Sequence, residues 1–197
     1  MIIIAEEGAR RICEVLLATS TINNPENPIT KVTDGSIDFK NVGFSYSGPG
    51  GREALSDVNL HINSGEVIGI IGGTGSAKST LVQLIPRLYD VTAGSVSVGG
   101  HDVRDYDIDT LRSAVAMVLQ KNVLFSGTIK ENLLWGNPNA TDEEILEAAR
   151  LAQADSFVQT FPDKYETHIE QGGNNVSGGQ KQRLCIARAL LKRPKVL

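Results

Sequence analysis

Nine consecutive residues, Gly72-Gly73-Thr74-Gly75-Ser76-Ala77-Lys78-Ser79-Thr80, hold the chemistry most directly read from this sequence. A glycine-rich turn lets successive backbone N–H groups point at one anion, and a lysine adds a mobile positive charge. Lys78 is placed to reach the β- and γ-phosphates of a nucleotide, and the Ser79 hydroxyl to ligate Mg²⁺. The spacing fits GxxxxGK[ST] except at Ala77, where the pattern has glycine. A Cβ there implies backbone strain or crowding against phosphate. The plainer alternative is a strand-to-helix connection made glycine-rich for tight packing.

Three further places suit the same chemistry. Gln120 follows the apolar run Ala114–Leu119, at the strand end where open α/β sheets bind ligands, so its amide could meet Mg²⁺ or an attacking water. Val176-Ser177-Gly178-Gly179-Gln180 precedes apolar residues at helical spacing, which makes a second phosphate-ready helix N-terminus. Tyr46 stands beside the turn Ser47–Gly51, where its ring could stack on a nucleobase or simply be a surface tyrosine.

These residues need elements to hold them. Val67-Ile68-Gly69-Ile70-Ile71 reads as a buried parallel strand leading into the glycine-rich turn, with a helix from Lys78 onward. Ser36–Val42 and Ala54–Ile62 read as strands of a hairpin, Gly94–Gly100 as a short strand with a glycine turn, and Ala114–Leu119 as a second buried strand. Thr128–Leu134 opens a helical region. Thr141-Asp142-Glu143-Glu144 offers a capping box for the next helix, so the middle of the chain reads as an all-helical subdomain inserted into an α/β core.

The N-terminal 35 residues are organised differently. Ala5–Ala18 has apolar residues at helical spacing with Glu6, Glu7, Arg10, Arg11 and Glu14 between them, an amphipathic helix packed either on its own domain or toward a neighbour. Residues 20–35, with Asn23, Asn24, Pro25, Asn27 and Pro28, read as a linker. The chain ends on Pro194–Leu197, the start of another apolar strand.

Composition bounds the partners. A chain of 197 residues, 41% hydrophobic and 21% charged, suits one globular domain with appendages. A net charge of −4 gives no general attraction to nucleic acid, so phosphate binding must be local. Cys13 and Cys185 are the only cysteines and form no disulfide framework, so a reducing, cytosolic setting is expected. The apolar opening Met1–Ile4 is too short to span a bilayer, and Glu6 and Glu7 argue against a signal peptide.

Taken in order, the P-loop, Gln120 and Val176-Ser177-Gly178-Gly179-Gln180 resemble the nucleotide-binding domain of an ABC transporter over about Ser36 to Leu197. The Val-Ser-Gly-Gly-Gln stretch is similar to the family's Leu-Ser-Gly-Gly-Gln signature. Leu124–Ile129 followed by Glu131-Asn132 looks like the exporter branch. The resemblance implies a P-loop NTPase core with an antiparallel β subdomain and an inserted helical subdomain. It implies ATP and Mg²⁺ as ligands, Tyr46 as the adenine-stacking aromatic, Gln120 as the Q-loop glutamine, and Ser177, Gly178, Gly179 and Gln180 as contacts to a nucleotide. Glu170-Gln171-Gly172 lies where exporters carry a loop that touches coupling helices.

Further expectations follow from the resemblance. Residues 1–19 would continue from a transmembrane domain of the same polypeptide, residues 20–35 would link it to a domain at 36–197, and the whole would lie at the cytoplasmic face of a membrane. Two such domains would meet head to tail, each ATP between the P-loop of one and the signature of the other, with hydrolysis assisted by Lys78 and Gln120. The strand bearing an aspartate and the catalytic glutamate, the D-loop and the switch histidine would come after Leu197. None of His61, His101 and His168 stands where that histidine belongs, so this stretch alone is expected not to turn over ATP. The alternative is a non-catalytic half that binds ATP to regulate a partner subunit, which Ala77 slightly favours. A DNA-maintenance ATPase would need a long coiled coil before the signature, and the sequence has none.

Overall fold

The computed structural model describes the backbone of residues 2–197 and the side chains from Glu7 onward. Met1 and the side chains of residues 2–6 lie outside the described residues, and with them the apolar opening. Helix α1, Ile2–Leu16, forms where the spacing predicts it. Arg10 pairs with Glu7 at 2.7 Å and Glu14 at 2.8 Å on one face, while Ile12, Val15, Leu16 and Leu17 are each more than 60% exposed. Among the described helices none is long and apolar enough to cross a membrane.

The stretch read as a linker has no regular secondary structure beyond one bridge, yet it is fastened to the domain. Ile29 forms a parallel bridge with Tyr106 through Ile29 N–H to Asp105 O at 2.8 Å and Asp107 N–H to Ile29 O at 3.0 Å. Val32 is buried in the core. Polar, proline-rich composition marks a segment that cannot form a ladder or helix; it does not decide whether the segment docks.

Strand β1, Ile37–Phe44, is the centre of an antiparallel sheet. It pairs with β2, Leu55–Ile62, and after helix α2, Lys78–Leu84, with β3, Ala93–Val98; β4, His101–Asp102, completes the order β2-β1-β3-β4. The register shifts past Phe39 and Lys40, so both faces of β1 become buried at Val42–Phe44 where strict alternation fails. Gly94 is required opposite this bulge: its φ is +73°, and a Cβ would clash with the carbonyl oxygens of Lys40 and Asn41. Phe39, Val42, Val96 and Val98 pack on Leu84 of α2 and on Leu111 of α3, Ile108–Ala114, in one core. Tyr106 is fully buried there because its hydroxyl donates to Val98 O at 2.8 Å.

A second core lies in the helical half. Strand β5, Gly127–Thr128, precedes α4, Ile129–Leu134, α5, Asp142–Leu151, and α6, Asp155–Val158; strand β6, His168–Ile169, precedes α7, Gly178–Leu191. Thr128 with Glu131, and Thr141 with Glu144, form complete capping boxes. This half is not all-helical, because β5 and β6 pair antiparallel. Two residues per strand are too few for periodicity to reveal. Asn132, 2% exposed, fills a polar hole by donating to Phe125 O and Thr128 O and accepting from Phe125 N–H and Arg188.

Two of the expected buried strands are not formed. Val67–Ile71 has no regular secondary structure and pairs with no described strand, and Val67 and Ile71 are 94% and 98% exposed. Ala114 ends α3, and of the run to Leu119 only Val115 pairs, parallel, with Val196. The apolar run supplied the right composition, but a parallel strand becomes a ladder only between neighbours that share its register.

Candidate functional site

The glycine-rich turn leads into α2 through backbone bonds of its own. Ser76 N–H and Ser76 Oγ both donate to Gly73 O, at 3.3 and 2.9 Å, and Leu81 N–H reaches Ala77 O at 3.0 Å. Gly75 has φ +82°, and Ala77 sits in the left-handed region with φ 58° and ψ 20°. The glycine preference at that position is therefore a backbone preference here. No side chain caps α2, whereas α4, α5 and α7 each carry a complete capping box. Its first N–H groups have no intrahelical partner and are left for another acceptor.

Lys78 folds back over the loop. Its Nζ donates to Gly72 O and Gly73 O, both at 2.7 Å, and to Ser76 Oγ at 3.1 Å. All three ammonium donors are thereby used by neutral acceptors that an anion would outcompete. A Cβ at Gly73 or Gly75 would meet nothing within 4 Å, so the surface above the loop is open space.

That space belongs to a cavity of about 480 Å³. Gly75, Ser76, Ala77, Lys78, Ser79 and Thr80 form one side, and Tyr46, Arg52, Glu53 and Ala54 the other. The Tyr46 hydroxyl lies 2.8 Å from Thr80 Oγ1, and its ring meets Phe44 and Tyr89 edge-on at centroid distances of 4.8 and 5.3 Å. Tyr46 remains 58% exposed. Sequence reasoning missed Arg52 and Glu53; they follow a glycine turn with no motif of their own, and only the hairpin brings them to the phosphate loop.

The remaining expected residues lie elsewhere. Thr74 is exposed on the turn. Gln120 is exposed and does not line this cavity; its neighbours Leu119 and Lys121 line another, of about 340 Å³, with Phe125, Trp135, Cys185 and Arg188. There Phe125 and Trp135 stack at 4.6 Å, burial lowers the Arg188 pKa, and burial raises that of the Cys185 thiol. Ser177 is the N-cap of α7: its Oγ accepts from Gln180 N–H at 3.3 Å, and Gln180 Oε1 accepts from Ser177 N–H at 2.8 Å. Gly178 and Gly179 have open space where a Cβ would stand. The chain thus gathers Tyr46 with the phosphate loop and leaves Gln120 and the signature outside that cavity.

The sequence pattern of the ABC transporter family matches residues 55–197. The chain belongs to the ABC transporter family. A putative multidrug export ATP-binding/permease protein of Bacillus subtilis is 50% identical over 163 residues, which is 83% of this chain and 28% of that protein. A multidrug efflux ATP-binding/permease protein of Mycobacterium tuberculosis is 42% identical over 193 residues, 98% of this chain and 16% of that protein. Among solved structures, a bacterial Atm1-family ABC exporter with ATP bound superposes with a TM-score of 0.86 at 32% identity, covering 94% of this chain and 32% of that one. The chain therefore spans less than a third of each of these ABC relatives.

Proposed function

We propose that this chain is the ATP-binding domain of an ABC exporter, residues 36–197, joined through residues 20–35 to a membrane domain of the same polypeptide at the cytoplasmic face. The observation that carries the reading is the cavity in which an uncapped phosphate loop, a retracted Lys78 and an exposed Tyr46 ring face one another. The relatives named as export ATP-binding/permease proteins support the coupling to transport.

The residues fit a Mg²⁺-bound nucleoside triphosphate. Lys78 would exchange the carbonyls of Gly72 and Gly73 for phosphate oxygens, and the free N–H groups of Lys78, Ser79 and Thr80 would add donors. Ser79 would hold Mg²⁺ through its hydroxyl; when bound, the ion would neutralise charge on the transferring phosphoryl group. Tyr46 would support the base, its orientation fixed by Thr80. Gln120, outside the cavity lining, would meet Mg²⁺ or the attacking water as the Q-loop glutamine. Ser177–Gln180 also lie off this cavity and would reach a nucleotide from a second nucleotide-binding domain closing head to tail. The site is thereby split, with binding on one chain and turnover shared by two.

Titration of the wild type and of Lys78→Ala with Mg-ATP tests the reading. Loss of a charge-assisted bond is expected to weaken binding by about 2–3 kcal/mol, roughly thirty- to hundredfold. Equal affinity in the two proteins would remove the phosphate loop from the site.

A further inference from the structure

Arg87 is a charged side chain only 6% exposed, just beyond the end of α2. Backbone bonds continue past the helix to reach it, from Arg87 N–H to Leu84 O and from Leu88 N–H to Gln83 O, both 3.1 Å. Its φ is 51°, a conformation unfavourable for a side chain of this size, so the surroundings must hold it. They do so through the guanidinium. Nε and one terminal nitrogen grip the Asp90 carboxylate at 2.8 and 3.2 Å; the other donates to Asn23 O at 3.2 Å and Arg104 O at 3.4 Å.

The next residue of the connector grips the other helix. Asn24 Oδ1 accepts from Ile108 N–H at 2.8 Å, and its Nδ2 donates to Asp107 Oδ1 at 2.7 Å, at the start of α3. Arg112 of α3 closes the circuit by donating to Pro86 O at 3.3 Å and Arg87 O at 2.9 Å. Two adjacent connector residues are thus bonded to the ends of two helices that are bonded to each other. One of those helices begins with Lys78, Ser79 and Thr80.

We propose that Arg87 and Asn24 form a latch that couples the connector, residues 20–35, to the nucleotide site, with Arg87 acting as a positioning residue for the phosphate loop through α2. The inference rests on the nucleotide-binding reading above. A seven-residue helix with Thr80 and Leu84 buried moves as one piece, so a change at its C-terminal end is felt at its N-terminal end. Connector docking and nucleotide binding are then linked, and the linkage is reciprocal: the factor by which nucleotide stabilises the docked connector equals the factor by which undocking weakens nucleotide binding.

The test is amide hydrogen exchange of residues 22–34 in the full chain, with and without the non-hydrolysable Mg-AMP-PNP, together with calorimetric titration of the same ligand. In the wild type, nucleotide should slow exchange of the connector by about three- to tenfold, and Asn24→Ala should weaken nucleotide binding by a similar factor. Asn24 is exposed and its loss spares the pairing of the buried Arg87 with Asp90, so folding is retained; connector exchange should rise about tenfold or more from two lost hydrogen bonds. Arg87→Lys, which keeps charge but not the two-pronged grip, should move both readouts in the same direction. A purely structural role would lower the melting temperature and leave the nucleotide-dependent change in exchange intact, which overturns the latch. So does an Asn24→Ala chain whose connector is freed while its affinity stays within twofold of wild type. If the wild type binds no Mg-AMP-PNP, the nucleotide reading itself fails and takes the latch with it.

Discussion

The Tyr46 hydroxyl lies 2.8 Å from Thr80 Oγ1, which joins the loop after β1 to the helix that opens with Lys78. The contact separates two roles of one side chain. Tyr46→Phe keeps the ring and loses the bond, so Mg-ATP affinity should fall by about 0.5–1.5 kcal/mol. Tyr46→Ala also loses base stacking, and a loss of about 1–3 kcal/mol is expected. Calorimetry on both variants checks this; an alanine variant with wild-type affinity would show that the ring carries no base.

Ala77 stands in the left-handed region, with φ 58°. The strain of that conformation belongs to the loop backbone, and a backbone that keeps it with and without nucleotide carries no part of it into the affinity. The sequence alone implied backbone strain or crowding against phosphate; the left-handed φ assigns the penalty to the backbone, and so to folding. Ala77→Gly should stabilise the fold by roughly 0.5–1 kcal/mol, after the extra chain entropy of glycine, and change Mg-ATP affinity by no more than about twofold. Thermal melting and titration of the same variant distinguish these effects, and a large gain in affinity without a gain in stability would return the penalty to the phosphate.

The phosphate loop was legible in the sequence because its motif is contiguous: Gly72 to Thr80 carries spacing, glycines and lysine in one place. The hairpin and the Thr141 capping box were legible for the same local reason. What escaped depends on distant pairing. Arg52 and Glu53 reach the cavity only because β2 lies beside β1. Residues 20–35 look like a tether, and residues far along the chain, among them Arg87, Asp105, Asp107 and Ile108, hold them down. The runs at Val67–Ile71 and Ala116–Leu119 show the converse, since apolar composition without a paired neighbour gives no strand.

His61 on β2 gives a pH dependence. Its Nδ1 lies 2.7 Å from Asp38 Oδ1 and its Nε2 3.2 Å from Asn63 Oδ1; the Asp38 hydrogen bond first, then Asn63, raises its pKa above the ordinary 6.5. A raised folded-state pKa means that the folded form binds the proton more tightly. The contribution is fully present below the unfolded value and is lost as pH rises through the raised one. Melting temperatures of wild type and His61→Gln should differ in favour of wild type near pH 5.5 and converge by about pH 8.5. A difference that grows with pH would contradict the assigned pairing.

Ser177 has two separable duties. Its Oγ accepts from Gln180 N–H in the capping box of α7, while its O–H remains able to donate to an anion outside the chain. Ser177→Ala removes both, so the single chain should lose about 1 kcal/mol of stability from the cap alone. Ser177→Asp keeps the cap acceptor and replaces the donor with a negative charge, so stability should stay within about 0.5 kcal/mol of wild type. Neither change touches the cavity that holds Lys78, and Mg-ATP affinity of the single chain should be unaltered in both. Under the head-to-tail reading, both variants should weaken ATP-driven association of full-length protein, by about 1–3 kcal/mol for alanine and more for aspartate, which faces a phosphate with like charge. Sedimentation under non-hydrolysing conditions measures the association, and melting measures the cap. Association of Ser177→Asp at wild-type strength would mean that the signature serves only to start α7.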